Sequence, residues 1–296
     1  MHVEPSEWMR LPTLLREWVQ AARPEVALYE IRLRCGGRMQ LVGRSENRLV
    51  GELLTRRQVA QAVSALMEHS LYAWEDELSH GYFTTRSGFR VGVAGRYALQ
   101  EGMMRLLEVH SVCIRIARAV PGCADRLLPW VSGSQSCLIL SAPGRGKTTL
   151  LRDLARQLSA QGQAVAILDE RCEIAAAWQG RPSMDVGERT DVVEGVGKPE
   201  GIPMIVRALS PQVLVTDELG GAGDADAVAD AMRCGVRVMA TAHARSLEDA
   251  LQRPQLSGVL NDGFDVVAEL SDPPGHLSAV YRRGQSAWEQ VACPFD

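Results

Sequence analysis

The sequence lacks the features that mark secreted, zinc-binding or membrane-spanning proteins. Its seven cysteines, at positions 35, 113, 123, 137, 172, 234 and 293, include no C-x-x-C pair. An odd number of scattered cysteines argues against a disulfide framework and a zinc site, and is typical of reduced thiols in the cytosol. No apolar run approaches the roughly 18 residues needed to cross a bilayer. The first residues, "MHVEPSEWMR", show no basic stretch followed by an apolar one, so we expect an intracellular protein without a signal peptide.

The sequence also lacks an excess of positive charge. Its 32 basic and 36 acidic residues give a formal net charge of -4. A protein that covers nucleic acid needs a large basic face, so this balance argues against that class. Hydrophobic residues make up 46% of the 296 residues, which is enough for a buried core, and the length suits two domains.

The apolar pattern divides the chain into two predicted domains, residues 1–125 and 126–296. The first is predicted to be α+β, because residues alternate with period two in "YEIRLRCGGRMQLVG" and "GYFTTRSGFRVGVAGRY". These stretches indicate antiparallel strands that turn at Gly36-Gly37 and at residues 86–88. A capping box of Thr55 and Gln58 predicts that a helix begins after Thr55, between these two pairs of strands. Residues 119–136 contain two prolines and two glycines, and are interpreted as the linker.

The second domain is predicted to be α/β with a parallel sheet. Helical stretches separate most of its near-continuous apolar strands, which recur at 137–140, 164–168, 213–216, 236–240 and 265–270. Strands of this composition are buried on both faces, as in a parallel sheet covered by helices.

A glycine-rich loop follows the first of these strands. Residues 141–150, "SAPGRGKTTL", match the phosphate-binding pattern G-x-x-x-x-G-K-[ST] except at Ser141, where the pattern has glycine. A strand, a glycine-rich turn and a helix N-terminus direct backbone N–H groups and the positive end of the helix dipole at a phosphate. We therefore predict a nucleotide site formed by Pro143, Gly144, Arg145, Gly146, Lys147, Thr148 and Thr149.

The polar residues of this loop have separate expected roles. Lys147 is expected to reach the β- and γ-phosphates, and the Thr148 hydroxyl is expected to ligate Mg²⁺. Thr149 is placed to bond the α-phosphate. Position 141 ends the strand, so a serine there is expected to cost some backbone freedom but no ligand.

The segment "PQVLVTDELG" at 211–220 supplies the acids that a hydrolytic phosphate-loop site needs. Asp217 and Glu218 follow a buried strand, at the end of the sheet where ligands bind in open α/β folds. Asp217 is predicted to hold Mg²⁺ through water. Glu218 is predicted to orient and polarise the attacking water.

Two further strands end in polar residues at the same predicted crevice. The strand "AVAILDERCEI" ends in acids that include Glu170 and Glu173, which are alternatives to Glu218 as the base. The strand "VRVMATAHARS" ends in Thr241 and His243. Either residue is placed to bond the γ-phosphate or the attacking water, and to report the loss of the γ-phosphate.

These motifs, in this order, resemble the secretion-ATPase branch of the RecA-like P-loop proteins, which combines a Walker A loop, an acidic box, a Walker B strand and a histidine box. The finer similarity is to the stage III sporulation protein AA family. It is carried by "DVGERTDVVEG", "IVRALSPQVLVTDELGG", "ATAHARS", "EIRLRCGGRMQL" and "LYAWEDELSHGYFTTRSGFRVGVAGR", and it extends over about residues 26 to 270. Leu219-Gly220 stand where type II secretion motors have Arg-Asp, so no role is transferred just after Glu218.

The resemblance implies a RecA-like P-loop ATPase domain of α/β class with a smaller N-terminal α+β domain, and it implies ATP and Mg²⁺ as cofactors. It further implies a cytoplasmic ATPase that forms a ring, expected to be a hexamer, at the base of a membrane channel between mother cell and forespore. The expected partners are copies of the chain and membrane proteins of that sporulation channel complex. Peripheral recruitment to the membrane is expected, with neither direct insertion nor nucleic-acid binding.

Assembly would let one subunit complete the site of another. A phosphate-loop site on one domain lies open on one side, and charge that develops on the γ-phosphoryl group needs a cation from elsewhere. The candidates to supply it across a subunit boundary are Arg90 and Arg96 in the first domain, and Arg189 and Arg207 in the second.

Two other classes of function remain open from the sequence. RecA-like domains also drive nucleic-acid motors, but the acidic balance and the lack of a groove that combines aromatic and basic residues argue against this class. The third class is a scaffold that assembles on ATP without turnover. Glu218 argues against it.

Overall fold

The structure, a computed structural model, describes residues 7–24, 28–43, 47–68, 74–100, 102–116, 119–177, 180–221, 223–285 and 287–291. The chain divides into two units, Met1–Arg118 and Ala119–Asp296. The predicted boundary between residues 125 and 126 falls inside the second unit. Within the described ranges, no helix has the length and apolar character that a membrane crossing requires.

The first unit combines a six-stranded antiparallel sheet with short helices, as the α+β pattern predicts. The strand order is β3-β2-β1-β6-β5-β4, and each neighbouring pair is antiparallel. The elements are a 3-10 helix (Glu7–Arg10), α1 (Thr13–Ala21), β1 (Leu28–Arg34), β2 (Met39–Gly43), β3 (Asn47–Val50), α2 (Arg56–Leu66), α3 (Glu75–Ser79), β4 (Tyr82–Thr84), β5 (Arg90–Gln100) and β6 (Met103–Arg115).

The local sequence signals of this unit are confirmed. Thr55 and Gln58 cap α2 reciprocally, because the Gln58 backbone N–H donates to the Thr55 hydroxyl at 3.3 Å and the Thr55 N–H donates to the Gln58 side chain at 2.8 Å. The predicted turns join β1 to β2 and β4 to β5. Ile31 lies opposite Leu41 in the first of these hairpins, and both side chains are fully buried.

The second unit is an α/β domain built on an eight-stranded sheet. Its strands are β7 (Cys137–Ser141), β8 (Val165–Asp169), β9 (Thr190–Glu194), β10 (Val213–Thr216), β11 (Arg237–His243), β12 (Val266–Ser271), β13 (His276–Arg283) and β14 (Trp288–Val291). Its helices are α4 (Leu128–Val131), α5 (Lys147–Ala160), α6 (Lys198–Leu209), α7 (Asp224–Arg233), α8 (Leu247–Leu251) and α9 (Pro254–Asp262).

Six strands of this sheet are parallel, in the order β12-β7-β11-β10-β8-β9, and β13 and β14 continue it in antiparallel fashion. The five predicted apolar strands are β7, β8, β10, β11 and β12. Apolar clusters cover both faces of the sheet: Leu151 and Val215 belong to one, and Leu138 and Phe264 to the other. Because neighbouring parallel strands end at the same edge, the residues that follow β7, β8, β10 and β11 lie side by side.

Residues 119–136 belong to the core of the second unit, so their interpretation as a linker is wrong. Leu127 and Val131 are fully buried, in the same apolar cluster as residues of α5 and β7. The Ala124 N–H donates to the Asp153 carboxylate at 2.9 Å. Burying apolar side chains stabilises this packing even though prolines and glycines interrupt the helical pattern.

The carboxylate of Asp153 fixes this segment to α5. Asp153 is 4% exposed and also accepts from Arg156 at 2.7 Å and Gln157 at 2.9 Å. Burial alone would raise the pKa of this carboxyl, but the hydrogen bonds from Ala124, Arg156 and Gln157 outweigh it and hold the pKa below its ordinary value. The ionised group therefore stabilises the fold above its unfolded-state pKa of about 3.9, and this contribution is lost as pH falls through the lower folded-state pKa.

We predict that Asp153→Ala lowers the free energy of unfolding by about 2 kcal/mol at neutral pH, because it leaves the buried Ala124 N–H without an acceptor. The matched control is Asp230→Ala, which removes an exposed ion pair with Arg233 at the same helical spacing and should cost about 0–1 kcal/mol. Urea unfolding at several pH values measures both. The deficit of Asp153→Ala should shrink below about pH 4. Equal losses in the two variants, or a loss that does not depend on pH, would contradict this account.

Candidate nucleotide-binding site

The loop that follows β7 has the backbone geometry of a phosphate cradle. Residues 143–149 lie together between the end of β7 and the first turn of the 14-residue helix α5. Gly144 and Gly146 have φ angles of 74° and 88°, a region in which a side chain is strained. A Cβ on Gly146 would also lie 3.0 Å from the Gly275 nitrogen. The shape of the loop therefore requires both glycines.

The Lys147 side chain lies over this loop and is 7% exposed. Its Nζ is 3.0 Å from the Ser141 carbonyl, 3.1 Å from Ser141 Oγ, 3.1 Å from the Ala142 carbonyl and 3.0 Å from His243 Nδ1. Burial lowers the pKa of Lys147 to about 8, although the Glu218 charge acts in the opposite direction. An ammonium has three protons and four acceptors lie within reach of Nζ, so one of these acceptors can be replaced by a phosphate oxygen.

Ser141 contributes a side-chain contact that the sequence pattern does not show. It is 1% exposed, and its Oγ donates to the Ala142 carbonyl at 2.9 Å while it accepts from Lys147 Nζ. Its φ is not in the left-handed region, so a serine fits this position without the strain that a glycine would relieve. The departure from the glycine of the pattern therefore places a hydroxyl beside the lysine.

Glu218 has an unusual backbone conformation, which hydrogen bonds to Thr241 of β11 stabilise. Its φ is 51°, and a residue other than glycine persists in this region only where its surroundings hold it there, often at functional sites. The Glu218 N–H donates to Thr241 Oγ1 at 2.8 Å, and the Leu219 N–H donates to the Thr241 carbonyl at 2.7 Å. Of the two residues predicted as sensors, Thr241 thus supports the backbone of Glu218.

His243 lies between Glu218 and Lys147. Its Nε2 is 3.3 Å from Glu218 Oε1, and its Nδ1 is 3.0 Å from Lys147 Nζ. An ammonium can only donate, so Nδ1 accepts from it and the imidazole N–H at Nε2 faces the carboxylate. A continuous polar chain therefore joins the residue after β10 to the phosphate loop.

Asp217 is a buried carboxylate with one oxygen that has no hydrogen-bond partner among the described residues. The residue is 3% exposed, and the oxygen without a partner is Oδ1. Burial raises the pKa of Asp217 to about 6; the Asp169 charge adds to the shift and Lys198 opposes it. Mg²⁺ prefers oxygen ligands, so a buried carboxylate oxygen without a hydrogen-bond partner suits this ion. Within the described ranges, no three or more His, Cys, Asp or Glu side chains form a cluster suited to a metal ion.

The turn after β8 is anchored by a buried carboxylate. Asp169 is fully buried and accepts the backbone N–H groups of Glu173, Ile174 and Ala175 at 2.8–3.1 Å. Burial raises the pKa of Asp169 against the effect of these bonds. Arg152 of α5 donates to the carbonyls of Glu173 and Ile174. The turn is therefore held at both its amide and its carbonyl groups.

The other acid of this turn, Glu170, pairs with a lysine that sequence reasoning missed. Glu170 Oε2 is 2.8 Å from Lys198 Nζ, and Lys198 is 4% exposed at the start of α6. Glu218, by contrast, is connected to Lys147 through His243. Lys198 lies 28 residues after Glu170 in the chain, and no sequence pattern or spacing predicts that the two side chains meet.

A second contact that the sequence did not predict joins the β12–β13 turn to the phosphate loop. Arg145 forms an ion pair with Asp272, and the Gly275 N–H donates to the Arg145 carbonyl at 2.8 Å. This turn therefore supports the predicted cradle from outside it.

The predicted arginines lie in both units. Arg96 pairs with Glu108 at 2.9 Å, and the Arg90 guanidinium lies 4.2 Å from the centroid of a tyrosine ring. Arg189 and Arg207 are exposed on the second unit. Their action across a subunit boundary stays a prediction.

The sequence is similar to known proteins over most of its length. A family model described as "Sporulation stage III, protein AA" matches residues 10–287. The chain is 38% identical over 264 residues to "Stage III sporulation protein AA" of Bacillus subtilis (strain 168), which covers 85% of this chain and 86% of that protein. It is 30% identical over 166 residues to "Protein SEEDLING PLASTID DEVELOPMENT 1" of Arabidopsis thaliana, covering 55% of this chain and 24% of that protein.

The fold is similar to the solved structures of an ATPase and of a pilus retraction motor. The ATPase DotB of Legionella pneumophila superimposes with a TM-score of 0.61 at 14% sequence identity, covering 88% of this chain and 76% of that one. The pilus retraction motor PilT with bound ADP gives a TM-score of 0.59 at 14% identity, covering 88% of this chain and 78% of that one. These similarities confirm the predicted fold, a RecA-like P-loop domain of α/β class with a smaller N-terminal α+β domain.

We predict that Lys147→Ala nearly abolishes nucleotide binding, because the phosphates lose their main cationic side chain. Ser141→Gly is the matched variant, and it should change affinity little because Lys147 keeps its other acceptors. Titration with a fluorescent ATP analogue measures both. Unchanged affinity in Lys147→Ala would contradict the prediction. A hundredfold gain in Ser141→Gly, about 2.7 kcal/mol, would show that the serine weakens binding.

Proposed function

Because the chain belongs to the stage III sporulation protein AA family, we propose that it is the ATP-hydrolysing motor of a secretion-type channel complex used in sporulation. In this role it couples ATP turnover to transport or assembly across the membranes between mother cell and forespore. The observation that carries the proposal is the polar chain that connects Glu218 through His243 to Lys147 on a phosphate loop. The similar solved structures, the ATPase DotB and the pilus retraction motor PilT, support it.

Nucleotide binding follows from the loop and the helix behind it. The free backbone N–H groups at the start of α5 and the positive end of its dipole favour the β- and γ-phosphates of ATP. Lys147 adds a positive charge. Its ammonium group replaces one hydrogen bond to a loop carbonyl with a hydrogen bond to a phosphate oxygen. Thr149 is proposed to bond the α-phosphate.

Thr148 and Asp217 are the residues that would hold Mg²⁺. A bound ion at this place supplies charge neutralisation to the phosphate oxygens. Asp217 offers a buried oxygen for which no protein donor competes within the described residues. The Thr148 hydroxyl offers a neutral oxygen at the start of the helix.

Glu218 is proposed to activate the attacking water. Its backbone is fixed by Thr241, and its carboxylate oxygens retain lone pairs that can accept a bond from water. The water transfers a proton to the carboxylate while its oxygen bonds to the γ-phosphorus, and the bond from that phosphorus to the leaving ADP oxygen breaks. Lys147 changes partners when phosphate leaves. His243, which contacts both Lys147 and Glu218, is the proposed sensor of that change.

The proposed assembly is a ring of identical subunits, expected to be a hexamer, recruited from the cytoplasm by membrane proteins of the channel complex. A ring would allow an arginine of one subunit to reach the nucleotide of its neighbour. Such an arginine contributes roughly 10³–10⁵ in rate in related phosphoryl-transfer enzymes. Arg90, Arg96, Arg189 and Arg207 are the candidates.

We predict that Glu218→Gln keeps ATP bound but lowers kcat by about 10²–10⁴, because an amide is a far poorer base than a carboxylate. The matched variant Glu170→Gln loses the pair with Lys198 and should keep most of the activity. Phosphate release at saturating ATP measures both variants, and thermal melting checks that they fold. Wild-type hydrolysis in Glu218→Gln with loss in Glu170→Gln would transfer the role of the base to Glu170.

We predict that hydrolysis requires assembly. Lys147→Ala subunits mixed with subunits that lack Arg90 and Arg96, or Arg189 and Arg207, should recover activity that neither has alone, because each supplies what the other lacks. Lys147→Ala mixed with Glu218→Gln is the control, and it should recover nothing because both residues belong to one subunit's site. Constant specific activity in a monomeric sample would rule out arginines acting in trans.

A further inference from the structure

We propose that Arg171, which lies in the turn after β8, is a positioning residue for Glu218 in ATP hydrolysis. Its guanidinium pairs with Glu218 Oε2, while His243 Nε2 is 3.3 Å from Glu218 Oε1. The two partners approach different oxygens from different strand ends. Together they fix the place and the plane of the carboxylate. The inference rests on the proposed function, since it assigns a role within the same reaction.

Arg171 lies in a turn whose residues on either side are anchored by hydrogen bonds and an ion pair. The Asp169 carboxylate and the Arg152 guanidinium hold the backbone of residues 173–175. Glu170, next to Arg171, pairs with buried Lys198 at 2.8 Å. A side chain presented by an anchored turn holds its partner more accurately than one on a free loop.

The backbone of Glu218 alone does not determine where its carboxylate lies. A glutamate side chain has several rotatable bonds and loses conformational freedom when it is held in one place. Thr241 fixes the main chain of Glu218, but not its side chain. A base must be within hydrogen-bond reach of the water that it activates, and Arg171 is the charged group that keeps it in one orientation.

The solvent exposure of the Arg171–Glu218 ion pair argues for a role in catalysis and against a role in folding stability. The side chains of Arg171 and Glu218 are 47% and 31% exposed, and ion pairs at such positions contribute little to folding stability. Each carboxylate oxygen also has more than one lone pair, so a bond to Arg171 leaves room for a bond from water. Removing Arg171 should therefore affect catalysis and leave the fold intact.

The test compares Arg171→Ala and Arg171→Lys with the control Arg233→Ala, which removes an exposed ion pair elsewhere in the second unit. Arg171→Ala should lower kcat roughly tenfold to hundredfold, the scale of a small misplacement of a catalytic group, with the KM for ATP within about twofold. Arg171→Lys should restore part of kcat, because an ammonium can pair with the same oxygen but lacks the planar fork of arginine. Arg233→Ala should behave as wild type.

A double-mutant cycle shows whether Arg171 acts through Glu218. In a Glu218→Gln background, Arg171→Ala should cause no further fall in the residual rate. A further fall of the same size would overturn the proposal, as would wild-type or raised kcat in Arg171→Ala alone. Wild-type protein that binds ATP but releases no phosphate would overturn the proposed function, and this inference with it. Wild-type hydrolysis that is unaffected by Arg171→Ala overturns only this inference.

Discussion

The polar chain from Glu218 through His243 to Lys147 is the interaction on which the rest of the site depends. Its members follow β10, end β11 and begin the helix after β7, so they are distant in sequence. A parallel sheet brings them together because its strands end at a common edge. The apolar clusters on both faces of that sheet hold the strands in register, and the edge is where polar groups can meet.

Burial shifts the pKa values of Lys147 and Asp217 in opposite directions. It lowers the pKa of Lys147 to about 8 and raises the pKa of Asp217 to about 6. Both shifts disfavour the charged forms, which is typical of functional sites. A polyphosphate anion beside Lys147 would stabilise the charged ammonium, and a divalent cation beside Asp217 would stabilise the ionised carboxylate. The protein alone supplies these opposite charges only in part. These shifts support the proposal that the site binds ATP together with Mg²⁺.

The sequence predicts those parts of the molecule that local patterns encode. The capping box at Thr55, the parallel strands and the loop around Gly146 each depend on residues close together in the chain, and each is confirmed. The pairings of Arg171 with Glu218 and of Lys198 with Glu170 are not predictable in this way, because periodicity carries no information about which side chains meet across strand ends. The same limit explains why the interpretation of residues 119–136 as a linker is wrong. Their prolines and glycines are local signals, whereas the burial of Leu127 depends on the helix packed against it.

Light scattering with parallel phosphate release is the decisive measurement for the proposal that this chain turns over ATP as an assembled ring. Purified wild-type protein would be sized with and without ATP and Mg²⁺ over a range of concentrations. We expect ATP with Mg²⁺ to shift the protein to a closed oligomer and specific activity to rise steeply with that shift. Phosphate release at constant specific activity from a monomer, or an oligomer that binds ATP without releasing phosphate, would contradict it.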